Sequence, residues 1–152
     1  MHHLRMISDA AFKKEEEKGH SHKGTLYLRA EGTTLDSFHK SGKVHVLEQL
    51  CKAIRHVTRS TFSAELHGAC DAADLGIFLS LMMHEIKCGV VSKQQARAMR
   101  DQGGYAVPMV LEIDAMSVYA AVTATYIKHP SEKSLLSHVQ FMRELLLSLI
   151  HI

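Results

Sequence analysis

The chain has 152 residues, 46% of them hydrophobic, and a formal net charge of +2. That length fits one domain and that apolar fraction can fill a core, which argues against a disordered chain. The small net charge excludes reading the whole molecule as a polyanion binder, but the charge is unevenly spread: residues 13–18 form a mixed Lys/Glu run, while Lys40, Lys43, Lys52, Arg55 and Arg59 are almost purely basic.

Taken in chain order, residues 4–9 alternate apolar and polar, as a half-buried strand does. Residues 13–24 are polar with glycines at 19 and 24 and read as a loop or wide turn. Residues 25–30, rich in strand formers, predict a second strand, and residues 44–47 a third. Strands joined by polar connections suggest an antiparallel meander. From Ser60 the period becomes helical, with Ser60 or Thr61 as N-cap. A capping box needs Glu or Gln three residues after the cap, and Glu65 does not occupy that place, so its carboxylate is left for another role. One stripe through Glu65 continues as Gly68, Ala69, Ala72, Ala73 and Gly76. So small a ridge lets a helix approach a sheet closely, at about 1 kcal/mol for each mid-helix glycine. Leu75, Phe78, Leu79 and Met82 are expected to fill the core further along, up to a stop at Cys88 and Gly89.

Ser92 caps a polar segment, residues 93–100, expected outside the core, and Gly103 and Gly104 stop it. Residues 107–114 predict a strand, residues 115–127 a helix, and His129-Pro130-Ser131 a break. A last helix from Glu132 carries Leu135, Leu136, Val139, Met142, Leu146, Leu149 and Ile150 on one face, with residues 145–152 as its buried end. The sum is one α/β (α+β mixed) domain over residues 1–152 with a mixed sheet.

Cys51, Cys70 and Cys88 have no paired spacing, which argues against a disulfide framework or a cysteine zinc site and for reduced thiols in an intracellular protein, cytoplasmic or nuclear. Residues 1–5 lack the apolar core of a signal peptide, and no unbroken apolar run approaches the length of a membrane span. No nucleophile elbow, Walker loop or dinucleotide fingerprint is present. His20 and His22, two apart in a polar stretch, would need a distant third ligand to hold zinc.

Chemistry gathers on three acids. Asp9 ends the first strand-like run, Glu65 lies in the first turns of the long helix, and Asp114 ends the 107–114 run. Mg²⁺ is a hard cation that takes carboxylate oxygens, and two such ions about 3.5–4 Å apart support in-line phosphoryl displacement. The protein must hold carboxylates together against their repulsion, so they are expected from separate elements. Each acid also has a local explanation: Asp9 opens a turn, Asp114 caps the next helix, Glu65 meets the helix dipole. An unrelated α/β domain would leave the three far apart.

At these residues the chain resembles the ribonuclease H domain of copia-type LTR retrotransposon Pol polyproteins. Ile7-Ser8-Asp9-Ala10-Ala11-Phe12 with Gly19-His20-Ser21-His22-Lys23-Gly24-Thr25-Leu26 is similar to that family's opening hairpin. Val57-Thr58-Arg59-Ser60-Thr61-Phe62-Ser63-Ala64-Glu65-Leu66 is similar to its Ser-Thr-x-x-Ala-Glu helix start, the most specific block. Leu111-Glu112-Ile113-Asp114-Ala115-Met116-Ser117 resembles its strand-to-helix turn, and residues 132–135 with 142–144 its later Arg-Glu helix. The blocks occur in the family's order and cover most of the chain.

The resemblance implies a ribonuclease H-like mixed sheet flanked by helices. It also implies a hydrolase that cleaves the RNA strand of an RNA–DNA hybrid with two Mg²⁺ or Mn²⁺ ions. Asp9, Glu65 and Asp114 match the family's first three metal-binding and catalytic carboxylates. The implied partners are the hybrid and the reverse transcriptase domain of the same polyprotein. Lys43, Lys52, Arg55 and Arg59 are the candidates for contact with the nucleic-acid backbone. The family's fourth acid lies in an Ala-Asp segment with no counterpart up to Ile152. The domain is therefore expected to be partial, without the last strand and C-terminal helix, and its second metal site looser; His138 is a conceivable stand-in ligand. The alternative is a catalytically inactive module that binds nucleic acid or protein, or a decayed retroelement fragment.

Overall fold

The alternation that opens the chain places Leu4, Met6, Ser8 and Ala10 on one buried face of a strand, β1, His2–Ala11. In the computed structural model, which describes residues 2–11, 21–32, 42–54, 58, 60–102, 104–126, 130, 133–148 and 150–151, β1 is central to a mixed sheet. Strand β2, His22–Glu31, pairs antiparallel with β1, setting Met6 opposite Tyr27 and Asp9 opposite Gly24. Strand β3, Val44–Ala53, pairs antiparallel with β2, with a register shift between Tyr27 and Leu28. The meander is as expected, but β3 is ten residues long where the sequence suggested four. Its side chains are mostly exposed, so strong hydrophobic alternation does not mark it.

The chain then leaves the sheet for a long helix, α1, Thr61–Cys88. Ser60 caps it, its Oγ accepting the Ser63 backbone N–H at 3.1 Å. A crossover of this kind lets the next strand, β4 (Met109–Ile113), return parallel to β1, with Leu4 beside Met109 and Ser8 beside Ile113. Met109, Val110 and Leu111 are all buried, so β4 opens apolar on both faces, as an inner parallel strand does, before Glu112.

The small-residue ridge does what its size predicts. Gly68, Ala69, Ala72, Ala73 and Gly76 are all buried and bring α1 down on the sheet. A β-carbon on Gly76 would collide with the Met6 thioether, and one on Gly68 would lie 3.2 Å from Ser8 Oγ. Polar anchors fix the contact. The Tyr27 hydroxyl donates to Ala72 O at 3.2 Å, Ser80 Oγ donates to Val107 O at 2.8 Å, and His84 Nδ1 accepts the Ala106 N–H at 3.0 Å.

The expected core role of Phe78 and Met82 is wrong: they are 57% and 43% exposed. The sheet-facing phase of α1 is set by the small residues and runs on through Ser80 and His84, which turns positions 78 and 82 outward. Leu75 and Leu79 are half-buried at the edge of that face. By length and a mean hydropathy of 1.2, α1 is also apolar enough to cross a membrane, although no unbroken apolar run announced it. Its packing on the sheet accounts for that apolarity as a core helix.

Helix α2, Lys93–Asp101, starts with a full capping box between Ser92 and Gln95 and buries nothing, as expected. Helix α3 covers Met116–Thr123, shorter than predicted. A single 3-10 turn, Lys133–Leu135, leads into α4, Leu136–Ser148. Arg143 of α4 donates to Ala124 O at 2.5 Å and Val122 O at 3.3 Å, satisfying carbonyls at the end of α3. Leu135, Val139 and Met142 are buried, as the helical period required, and α3 and α4 pack on α1 and on each other. The chain end differs from expectation. Residues 150–151 are not the end of a helix but a two-residue strand, β5 (Ile150–His151), paired parallel to β4. The sheet order is β3-β2-β1-β4-β5.

Candidate metal centre

Three elements deliver one carboxylate each. Asp9 stands within β1, two residues before its end, on the face opposite Met6 and Ser8. Asp114 follows the last residue of β4, the strand parallel to β1, and so emerges at the same end of the sheet. Glu65 lies one turn into α1 and is only 6% exposed, drawn in by the close packing of the small-residue ridge. Oxygens of Asp9, Glu65 and Asp114 all lie within 4.8 Å of one another. The convergence expected from sequence is therefore present, and no other such group of His, Cys, Asp or Glu side chains occurs among the described residues.

The local explanations do not fit these positions. The N-cap residue of α3 is Ala115, without a side-chain capping bond, so Asp114 does not cap it. Asp9 opens no turn, since β1 runs on to Ala11. Glu65 is past the first turn of α1, where the dipole effect fades.

Electrostatics make the cluster costly. Burial pushes the Glu65 carboxyl above its ordinary value, and the charges of Asp114 and Asp9 push it the same way; a backbone hydrogen bond at Ala10 opposes them. Glu65 Oε2 is buried with no hydrogen-bond partner among the described residues. A buried carboxyl that has an unpaired oxygen and gathers with two further carboxylates fits a hard divalent cation, which would offset the repulsion.

The basic candidates separate. Lys43 and Lys52 are exposed near opposite ends of β3, about 30 Å apart at strand rise. Lys52 is at the acidic end, since its strand neighbour Cys51 is opposite Gly24, which is opposite Asp9. Arg55, Arg59 and His20 lie outside the described residues. His22 begins β2 opposite Ala11, exposed and outside the acidic group. His138 is outside it too, its ring edge-on to His67 at 4.6 Å between centroids. An open cleft beside Asp9 is lined by Ile7, Gly24, Leu26, Gln49 and Cys51.

Sequence reasoning missed Lys23, which pairs with Asp71 of α1 and faces Lys52 across β2 and β3. Burial, then the Lys52 charge, lowers its pKa. Its place in a polar run gave no signal that it would start a strand. Also missed is the ion pair of Arg5 with Glu112 between β1 and β4, Nη2 donating to Oε2 at 2.9 Å and Nε 2.6 Å from Oε1. Only the strand register could have found it.

Comparison of the chain with models of known protein families, with curated proteins and with solved structures finds no match.

Proposed function

We propose that the chain is a ribonuclease H-like domain that cleaves the RNA strand of an RNA–DNA hybrid, with Asp9, Glu65 and Asp114 holding Mg²⁺ or Mn²⁺. The observation that carries this reading is the gathering of three carboxylates from β1, α1 and β4 within 4.8 Å, one of them buried with an unpartnered oxygen. The order β3-β2-β1-β4, antiparallel except for β4 alongside β1, supports the fold part of it.

Divalent cations at such a site supply Lewis-acid stabilisation of a phosphoryl group and a water activated for in-line displacement. The protein's part is positional. Asp9 is on β1, Asp114 directly follows the parallel strand β4, and Glu65 is buried in α1, so the carboxyls are gathered by the packed elements themselves. The open cleft beside Asp9 gives a polymeric substrate room to approach. Lys52 lies at that end of the sheet but on the face toward α1, beside Lys23 and Asp71, and not in the cleft.

The test is cleavage of a labelled RNA–DNA hybrid with Mg²⁺ or Mn²⁺ by wild type and by Asp9→Asn. Loss of at least about a hundredfold in the variant is expected for a group that positions the reacting phosphate. Equal cleavage by both proteins would end the catalytic reading. The second reading is a non-catalytic module that binds nucleic acid along the open cleft beside Asp9. It predicts hybrid binding without cleavage at any cation concentration.

A further inference from the structure

The outermost strand, β3, offers ten residues of edge with no neighbour beyond it among the described residues. Such an edge carries unmet backbone donors and acceptors and is normally blunted by proline, bulges or inward charges. Here the sequence of β3 contains no proline, and the register shift lies near Leu47, so residues 48–53 form a regular stretch. One donor on this edge is already seeking a partner: the Gln49 N–H bonds the exposed carboxylate of its own neighbour, Glu48, at 2.9 Å. A second tension lies beside it. Lys52 is directly opposite Lys23 on β2, two like charges across one pair of strands, and their repulsion contributes to the lowered Lys23 pKa.

We infer that the edge of β3 binds a second copy of this chain, the two β3 strands pairing antiparallel about a two-fold axis at Leu50. In that register Glu48 of each copy stands opposite Lys52 of the other, twice by symmetry, and Gln49 stands opposite Cys51. Glu48, Leu50 and Lys52 share one face of the strand, so each ion pair flanks a Leu50–Leu50 contact. Each Glu48 leaves the Gln49 N–H, which then bonds the facing strand, and brings a carboxylate to the Lys23–Lys52 pair. A one-residue slip would put Glu48 on the opposite face from Lys52 and lose both gains. The joined sheet holds both acidic groups at the same face, five strand spacings or about 24 Å apart.

The experiment is sedimentation velocity on the full chain from micromolar to near-millimolar concentration, with wild type, Glu48→Lys, Lys52→Glu and the double variant carrying both. Wild type is expected to form a reversible dimer. Each single reversal creates two like-charged pairs and is expected to weaken the dimer at least about tenfold. The double reversal restores the pairing and is expected to recover most of the loss. Circular dichroism checks that each variant keeps the native fold. A wild type that stays monomeric throughout overturns the inference. So does a dimer that neither single reversal weakens, or one that the double reversal fails to restore.

Discussion

The sharpest consequence of the acidic group concerns stability. Glu65 has its pKa raised above an ordinary value of 4.5, so the folded chain holds that proton to higher pH than the unfolded chain does. The sign follows from linkage: where the native state binds more protons, stability falls as pH rises. The penalty is absent below the ordinary carboxylate value, grows as pH climbs through the raised one, and is fully present above it. Without a divalent cation the protein should therefore lose stability across that window. Glu65→Gln, which removes the charge while keeping the shape, should be more stable than wild type above the window and no more stable below it.

A cation reverses the order. A ligand that binds only the native state adds about 2.7 kcal/mol at a hundred times its Kd and about 1.4 kcal/mol at ten times. For a chain of 152 residues each kcal/mol moves the Tm by about 2–4 °C, so saturating Mn²⁺ should raise it by roughly 5–11 °C. Glu65→Gln should lose most of that rise. Thermal unfolding followed by circular dichroism, first with a chelator across the acid-to-neutral range and then with graded Mn²⁺, reads both effects. Two results would refute the reasoning: parallel pH profiles for wild type and Glu65→Gln, or an equal cation-induced rise in both.

Three further substitutions test the scaffold. Gly76→Ala gains about 1 kcal/mol of helix propensity but drives a methyl into the fully buried Met6, an overpacking cost of about 1–3 kcal/mol. A net loss is expected by urea unfolding, whereas in a Met6→Ala background the same change should stabilise relative to Met6→Ala alone; a stabilised single variant would mean that α1 is not pressed on β1. Ser60→Ala removes the cap of α1 and should cost about 1 kcal/mol in the same assay. Gly68→Val places a branched side chain where even one β-carbon comes within 3.2 Å of Ser8 Oγ and 3.7 Å of Ala10 and Lys23. It should lift α1 away from β1 and weaken Mn²⁺ binding by calorimetry with all three acids intact; unchanged binding in a folded variant would sever the ridge from the site.

What could be read beforehand follows what local chemistry encodes. The α1 boundaries came from Ser60 and Gly89, and the burial of Gly68, Ala69, Ala72, Ala73 and Gly76 came from side-chain size at helical spacing. The first strand came from alternation and the second from its strand-forming residues, but β3 was cut short because an exposed edge strand does not need apolar residues at every second place. Phe78 and Met82 were misplaced because bulk was taken as the sign of burial in a helix whose buried face is built from the smallest residues available. Lys23 and the Arg5–Glu112 pair depend on which residue stands across from which, and register is a property of the assembled sheet.

The acidic trio belongs to neither class, because its visibility came from order and its meaning from packing. Read singly, each acid had a cheaper explanation, and each explanation fails on geometry: the cap of α3 is Ala115, β1 runs past Asp9, and Glu65 is buried beyond the first turn. The same ridge that lets α1 touch the sheet carries Glu65 toward the strand ends. The stripe therefore connects two features that the sequence presents as separate, small side chains in a helix and acids far apart in the chain. A sheet and helix can be packed well without three carboxylates within 4.8 Å, and an arrangement that raises the Glu65 pKa lowers stability near neutrality. Packing alone gives no reason for that cost. A shared cation, as proposed, would, because it would turn the repulsion among Asp9, Glu65 and Asp114 into a common attraction.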